Sequence, residues 1–89
     1  MKLEVNDIVK IRRGDFGVVV GFNNKPCAIL FHSFTSVLTR YNENLKHSNK
    51  EYDIVAVYNG DKVESYKEVY RAKFDPDALE LELRYEESV

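Results

Sequence analysis

A mainly β domain with one short helix is predicted, folded as a small barrel or a strongly bent antiparallel sheet of five or so strands. Three stretches carry that prediction. Residues 7–22, D-I-V-K-I-R-R-G-D-F-G-V-V-V-G-F, read as two β-rich runs around a glycine turn. Residues 27–32, C-A-I-L-F-H, form a third run rich in apolar and aromatic side chains. Near the end, Leu79, Leu81, Leu83 and Tyr85 alternate with Glu80, Glu82, Arg84 and Glu86, the period of a strand with one charged face.

Taken in order, residues 8–12 place Val9 and Ile11 on one face and Lys10 and Arg12 on the other. Residues 13–17, R-G-D-F-G, read as the reversing turn, because glycine reaches positive φ without steric cost. Val18-Val19-Val20 resumes the β pattern, and Gly21 marks a bulge or a close backbone approach. Asn23-Asn24-Lys25-Pro26 forms a second turn, with the next strand starting after Pro26. The strands on both sides of that turn are apolar on both faces, so the C-terminal segment or another subunit must cover the second face.

Residues 33–52 lack a clear period and read as a long ordered connection with one helical turn at most, a place to look for ligand contacts. Residues 53–58, D-I-V-A-V-Y, form a fourth strand, and Asn59-Gly60 signals a type I′ turn. Ser65 and Glu68 have capping-box spacing. Tyr66, Val69 and Tyr70 then share one face of a short helix expected over residues 66–71.

At 89 residues the chain is one small domain whose core is necessarily thin, a situation that oligomerisation often relieves. With 44% apolar and 31% charged residues, composition argues against a disordered chain. No apolar run is long enough to span a bilayer, and the N-terminus lacks the pattern of a signal peptide. A lone cysteine, Cys27, excludes an intrachain disulfide and fits a reducing compartment. The expected location is therefore cytoplasmic, with no membrane partner. Cys27 itself reads as a small core residue.

The formal net charge of −2 argues against a long nucleic acid as partner. The charge is unevenly spread: residues 1–50 hold eight Lys and Arg against four acids, +4, and residues 51–89 hold five against eleven, −6. A local basic patch on an acidic protein suits a small or short anionic ligand.

The run Val9-x-Ile11, Arg12-Arg13-Gly14-Asp15-Phe16-Gly17, Val18-Val19-Val20 resembles the opening of SH3-like small barrels, including the KOW-type modules. That resemblance implies a barrel-like fold and, for the KOW type, nucleic-acid binding. In the KOW pattern the turn carries a basic residue between more widely spaced glycines, whereas this turn holds Asp15. In style the whole chain also resembles small accessory proteins of Gram-positive bacteriophages and mobile elements, which implies a role such as counter-defence.

No catalytic, metal or nucleotide-loop motif stands out. Valines follow the glycines where a phosphate loop would need G-K-[ST] or a helix. His32 and His47 lack ligand spacing, and no cofactor is expected. Glu80, Glu82 and Glu86 read as the polar face of a terminal strand. The remaining constellation is Arg12, Arg13, Arg40 and Lys46 with Phe34, Tyr41 and Asn44. Guanidinium groups fork onto phosphates and stack on rings, and aromatic faces hold flat ligands. The expectation is a non-enzymatic module, homo-oligomeric, that sequesters a small anionic ligand of nucleotide type. Two alternatives stand beside it: an adaptor or inhibitor that binds a host protein, and a nucleic-acid binder of the KOW type.

Overall fold

The six strands of the described residues join one antiparallel sheet. The computed structural model describes residues 1–64 and 66–88, so the Ser65–Glu68 capping box lies outside the described residues. The strands are β1 (Ile8–Ile11), β2 (Phe16–Phe22), β3 (Lys25–Phe31), β4 (Thr35–Val37), β5 (Ile54–Tyr58) and β6 (Leu83–Glu86). Their order in the sheet is β4-β3-β2-β1-β5-β6. The outermost strands, β4 and β6, are not paired with each other. The fold is therefore a bent open sheet rather than a closed barrel. Register shifts at Lys10/Ile11, Val20/Gly21 and Val57/Tyr58 supply the bending, since a bulge raises local twist.

The two-sided apolar strands are explained by cover on both faces. One face carries Val9, Ile11, Val19, Ile29, Phe31, Ile54 and Val57; Leu3, Leu45, Leu38, Tyr41 and Tyr52 pack against it. The other carries Ile8 and Val18, covered by Val63, Val69, Tyr70, Phe74 and Leu81. Both layers come from this chain, the second from its C-terminal half. Helix α1 (Tyr66–Val69) is a single turn that buries Val69 and leaves Tyr66 exposed, so Tyr66 is not part of its packed face.

Several local expectations are corrected. The β2–β3 hairpin is a two-residue turn with Asn23 and Asn24 at φ 50° and 62°, the backbone of a type I′ turn. β3 therefore begins at Lys25, and Pro26 lies inside it, opposite Gly21 at the bulge. The bulge leaves Cys27 without a cross-strand partner, and its side chain is exposed rather than in the core. At Gly21, a Cβ would meet the Lys25 carbonyl oxygen at 1.8 Å, so both readings of that glycine hold.

Gly17 is a strand residue, not part of the turn. It is buried in β2 because the Phe31 ring and Ile29 lie where its side chain would be. Gly60 is buried against the Asn6 carbonyl and is not among the positive-φ residues, so Asn59-Gly60 does not form the expected I′ turn. The connection after β3 contains β4 and two 3-10 turns, Leu38–Arg40 and Lys50–Tyr52. The final strand is only Leu83–Glu86; Glu80 has φ 54° in the preceding turns. Glu80, Glu82 and Glu86 thus do not share a strand face.

Candidate functional site

The β1–β2 hairpin tip is closed by Gly14 N–H donating to the Ile11 carbonyl at 2.8 Å and Ile11 N–H donating to Asp15 at 3.0 Å. Gly14 sits at φ 108°, a conformation that suits glycine. The tip is then stitched to the turn before β5: Arg12 N–H donates to Asp53 O and Arg13 N–H to Glu51 O, both at 2.9 Å. These bonds send the two adjacent side chains into different surroundings.

Arg13 lies over aromatic rings. Its guanidinium is 5.2 Å from the Phe34 ring centre and 5.3 Å from that of Tyr52, within cation–π range. It also donates through Nε to Asp15 at 2.7 Å. Phe34 stacks on Phe31 at 4.6 Å, Tyr52 meets His47 edge-on at 5.3 Å, and His47 meets Tyr41 at 5.2 Å. Tyr41 Oη donates to the Tyr52 carbonyl at 2.8 Å, and burial pushes the Tyr41 phenol above its ordinary range. Asn49 N–H donates to His47 Nδ1 at 2.9 Å, which assigns the neutral imidazole's proton to Nε2.

Beside this aromatic wall is a hollow of about 410 Å³, lined by Phe34, His47 and Tyr52, by Thr35 and Ser36 of β4, and by Arg40. Such a volume is in the range of small-molecule sites. Arg40 is exposed at the end of the first 3-10 turn, and its guanidinium has no ion pair or hydrogen bond among the described residues. A second hollow, of about 510 Å³, lies between α1 and the sheet and presents Ile8, Val18, Val63 and Val69.

Arg12 and Lys46 meet elsewhere. Arg12 Nη2 and Lys46 Nζ both donate to Glu87 Oε1, at 2.7 and 2.6 Å. Hydrogen bonds first from Arg12 and then from Lys46 hold the Glu87 carboxyl below its ordinary range. Buried Asp53 accepts from His47 N–H at 2.7 Å and faces Arg12 Nη2 at 3.5 Å. Lys46 is aimed by a tight turn in which Asn42 Oδ1 accepts from the N–H groups of Asn44 and Lys46, at 2.9 and 3.1 Å. Leu45 completes that turn at φ 62° while its side chain enters the core.

Of the residues singled out from sequence, Phe34 and Arg40 line the aromatic hollow, Arg13 stands over its rings, and Tyr41 lies behind it through His47. Arg12 and Lys46 converge on Glu87, and the Asn44 side chain is exposed without a hydrogen bond among the described residues. Tyr52, Thr35, Ser36 and Glu87 were not singled out. Their roles depend on contacts between distant segments, and no local pattern marks them. Among the described residues, no cluster of His, Cys, Asp or Glu is placed to hold a metal ion. No protein-family model, curated protein or solved structure matches the chain.

Proposed function

We propose that the chain is a non-enzymatic binding module for a small anionic ligand with a flat ring, of nucleotide type, received in the hollow between β4 and the aromatic wall. The observation that carries this reading is Arg40, a cation without a partner among the described residues, beside Phe34, His47 and Tyr52. The rings offer stacking faces, and Arg40 offers a forked donor for a phosphate. Sequestration in phage counter-defence is the specific version of this reading, supported by the resemblance of style alone.

The test is a thermal-shift panel of nucleosides, mononucleotides and cyclic dinucleotides. A ligand that binds only the folded chain raises its melting temperature in proportion to occupancy. A phosphorylated member is expected to stabilise the chain, its nucleoside much less, and Arg40→Ala to weaken the effect roughly tenfold through loss of a charge-assisted hydrogen bond. No shift with any member would sink the reading.

The adaptor reading has an observation of its own. Cross-strand pairing places Val37, Ala28 and Val20 in one row on the face that α1 covers elsewhere, and Phe22, next along that side of β2, is 82% exposed. Recovery of one stoichiometric protein in a pull-down, lost in Phe22→Ser, would favour it.

A further inference from the structure

Arg12 and Lys46 come from separate segments, the hairpin tip and the turn at residues 42–46, yet both donate to one oxygen of Glu87, at 2.7 and 2.6 Å. Glu87 follows the last residue of β6, and its backbone is held by its N–H donating to the Val55 carbonyl at 2.8 Å. That backbone bond does not involve the side chain, so displacing the carboxylate from its two cations leaves the backbone paired. Asp53, the other carboxylate at this point, is buried and already accepts the His47 N–H and faces Arg12. It faces Arg12 and neutralises only one of the two cations.

A forked guanidinium and an ammonium meeting on a single acceptor oxygen is an arrangement suited to an oxyanion. A carboxylate oxygen and a phosphate oxygen present the same acceptor to these donors. We propose that Arg12 and Lys46 form a phosphate site, and that the Glu87 side chain fills it as an internal stand-in until a phosphate group displaces it. Once Glu87 swings out, one positive charge remains in excess over Asp53, which favours a dianion over a monoanion. The lowered Glu87 carboxyl agrees with its seat between two cations. Arg12, Lys46 and Glu87 are not among the residues that line the aromatic hollow, and the proposal does not depend on that hollow's ligand.

The test uses inorganic phosphate, titrated into the folded chain at low salt and followed by amide NMR. The amides of Arg12, Lys46 and Glu87 are expected to shift together. Glu87→Gln removes the competing charge while keeping the side-chain shape, and should tighten phosphate binding roughly tenfold, as expected for one charge removed from beside a dianion in water. Adding Arg12→Ala to that variant should abolish the gain. Equal affinity in wild type and Glu87→Gln would overturn the proposal. Should Glu87→Gln fold poorly, the wild-type titration decides alone: phosphate shifts that leave Arg12, Lys46 and Glu87 unmoved would reject it. Arg40→Ala separates the two sites: the phosphate-induced shifts of the Arg12, Lys46 and Glu87 amides should persist in that variant, while nucleotide binding weakens.

Discussion

Gly14 and Gly21 show how one residue type serves two physical ends within one hairpin system. Gly14 needs only its φ of 108°, with open space around it, whereas Gly21 needs the absence of a side chain, with the Lys25 carbonyl at 1.8 Å from a would-be Cβ. Gly14→Ala should therefore cost about 1–3 kcal/mol of backbone strain. Gly21→Ala forces backbone apart and should cost at least as much, with the β2–β3 register disturbed as well, read as lost amide protection along both strands. Gly21 was legible because it interrupts a valine run. Gly60 was not, since the Asn6 carbonyl that excludes a side chain there comes from the far end of the chain. Titration separates residues in the same way. Glu87 is lowered by Arg12 and Lys46, so its contribution to stability is complete above the unfolded carboxyl range and is lost as pH falls through its lowered native value. Asp7 runs the other way: burial raises it despite the Glu4 N–H and Arg84, so its contribution is present at low pH and lost as pH rises through the raised native value. Urea midpoints measured from neutral to acid pH should fall less steeply in Glu87→Gln than in wild type; parallel curves would show that the Glu87 pairs add nothing.

At the scale of elements, the least self-sufficient piece is α1. Four residues make one turn, far below the length at which an isolated helix persists in water. Its place is set by burial of Val69, which is 2% exposed in the cluster with Ile8, Val18 and Leu81. Val69→Ala should cost about 2 kcal/mol through lost burial and a residual cavity. Hydrogen exchange should then quicken around residues 66–74 before it does in β1 or β5. Uniform quickening across the sheet would mean that α1 and the sheet open as one unit. The helix was legible from the spacing of Val69 and Tyr70, but Tyr66 shared that spacing and is exposed. One turn is too short for the period to pick out a face. β4 was missed for a related reason. It has three residues, Thr-Ser-Val, at the edge of the sheet, and its order comes from pairing with Ala28, Ile29 and Leu30 rather than from its own pattern. The aromatic hollow rests on that strand and on the turn before β5. Of the residues around that hollow, Arg13, Phe34 and Arg40 were legible in the sequence as charged and aromatic groups of the hairpin tip and the long connection, while Tyr52 became visible only with the tertiary structure, as did Glu87 outside it.

For the whole molecule, the central question posed by the sequence was what covers strands that are apolar on both sides. The answer is unequal cover. The face bearing Val9, Ile11 and Ile54 is sealed by residues from the N-terminus and the 38–52 connection, leaving those three side chains at 0% exposure. On the opposite face, α1 and the turns after it protect Ile8 and Val18 at 1% and 4%, but Val37 is 49% exposed and Phe22 82%. The cover stops partway along β2. That gradient makes a paired prediction on two residues of one strand face. Val18→Ser trades buried methyl groups for a hydroxyl at a position only 4% exposed and should cost roughly 3 kcal/mol. Phe22→Ser removes a side chain that the fold scarcely contacts and should change stability by less than about 1 kcal/mol. Chemical denaturation of both variants, with solution mass measured alongside, tests the arrangement. A large loss in Phe22→Ser without a change in mass would mean that the chain covers this end after all. A large loss accompanied by a fall in mass would mean that a second copy supplies the cover that α1 does not reach.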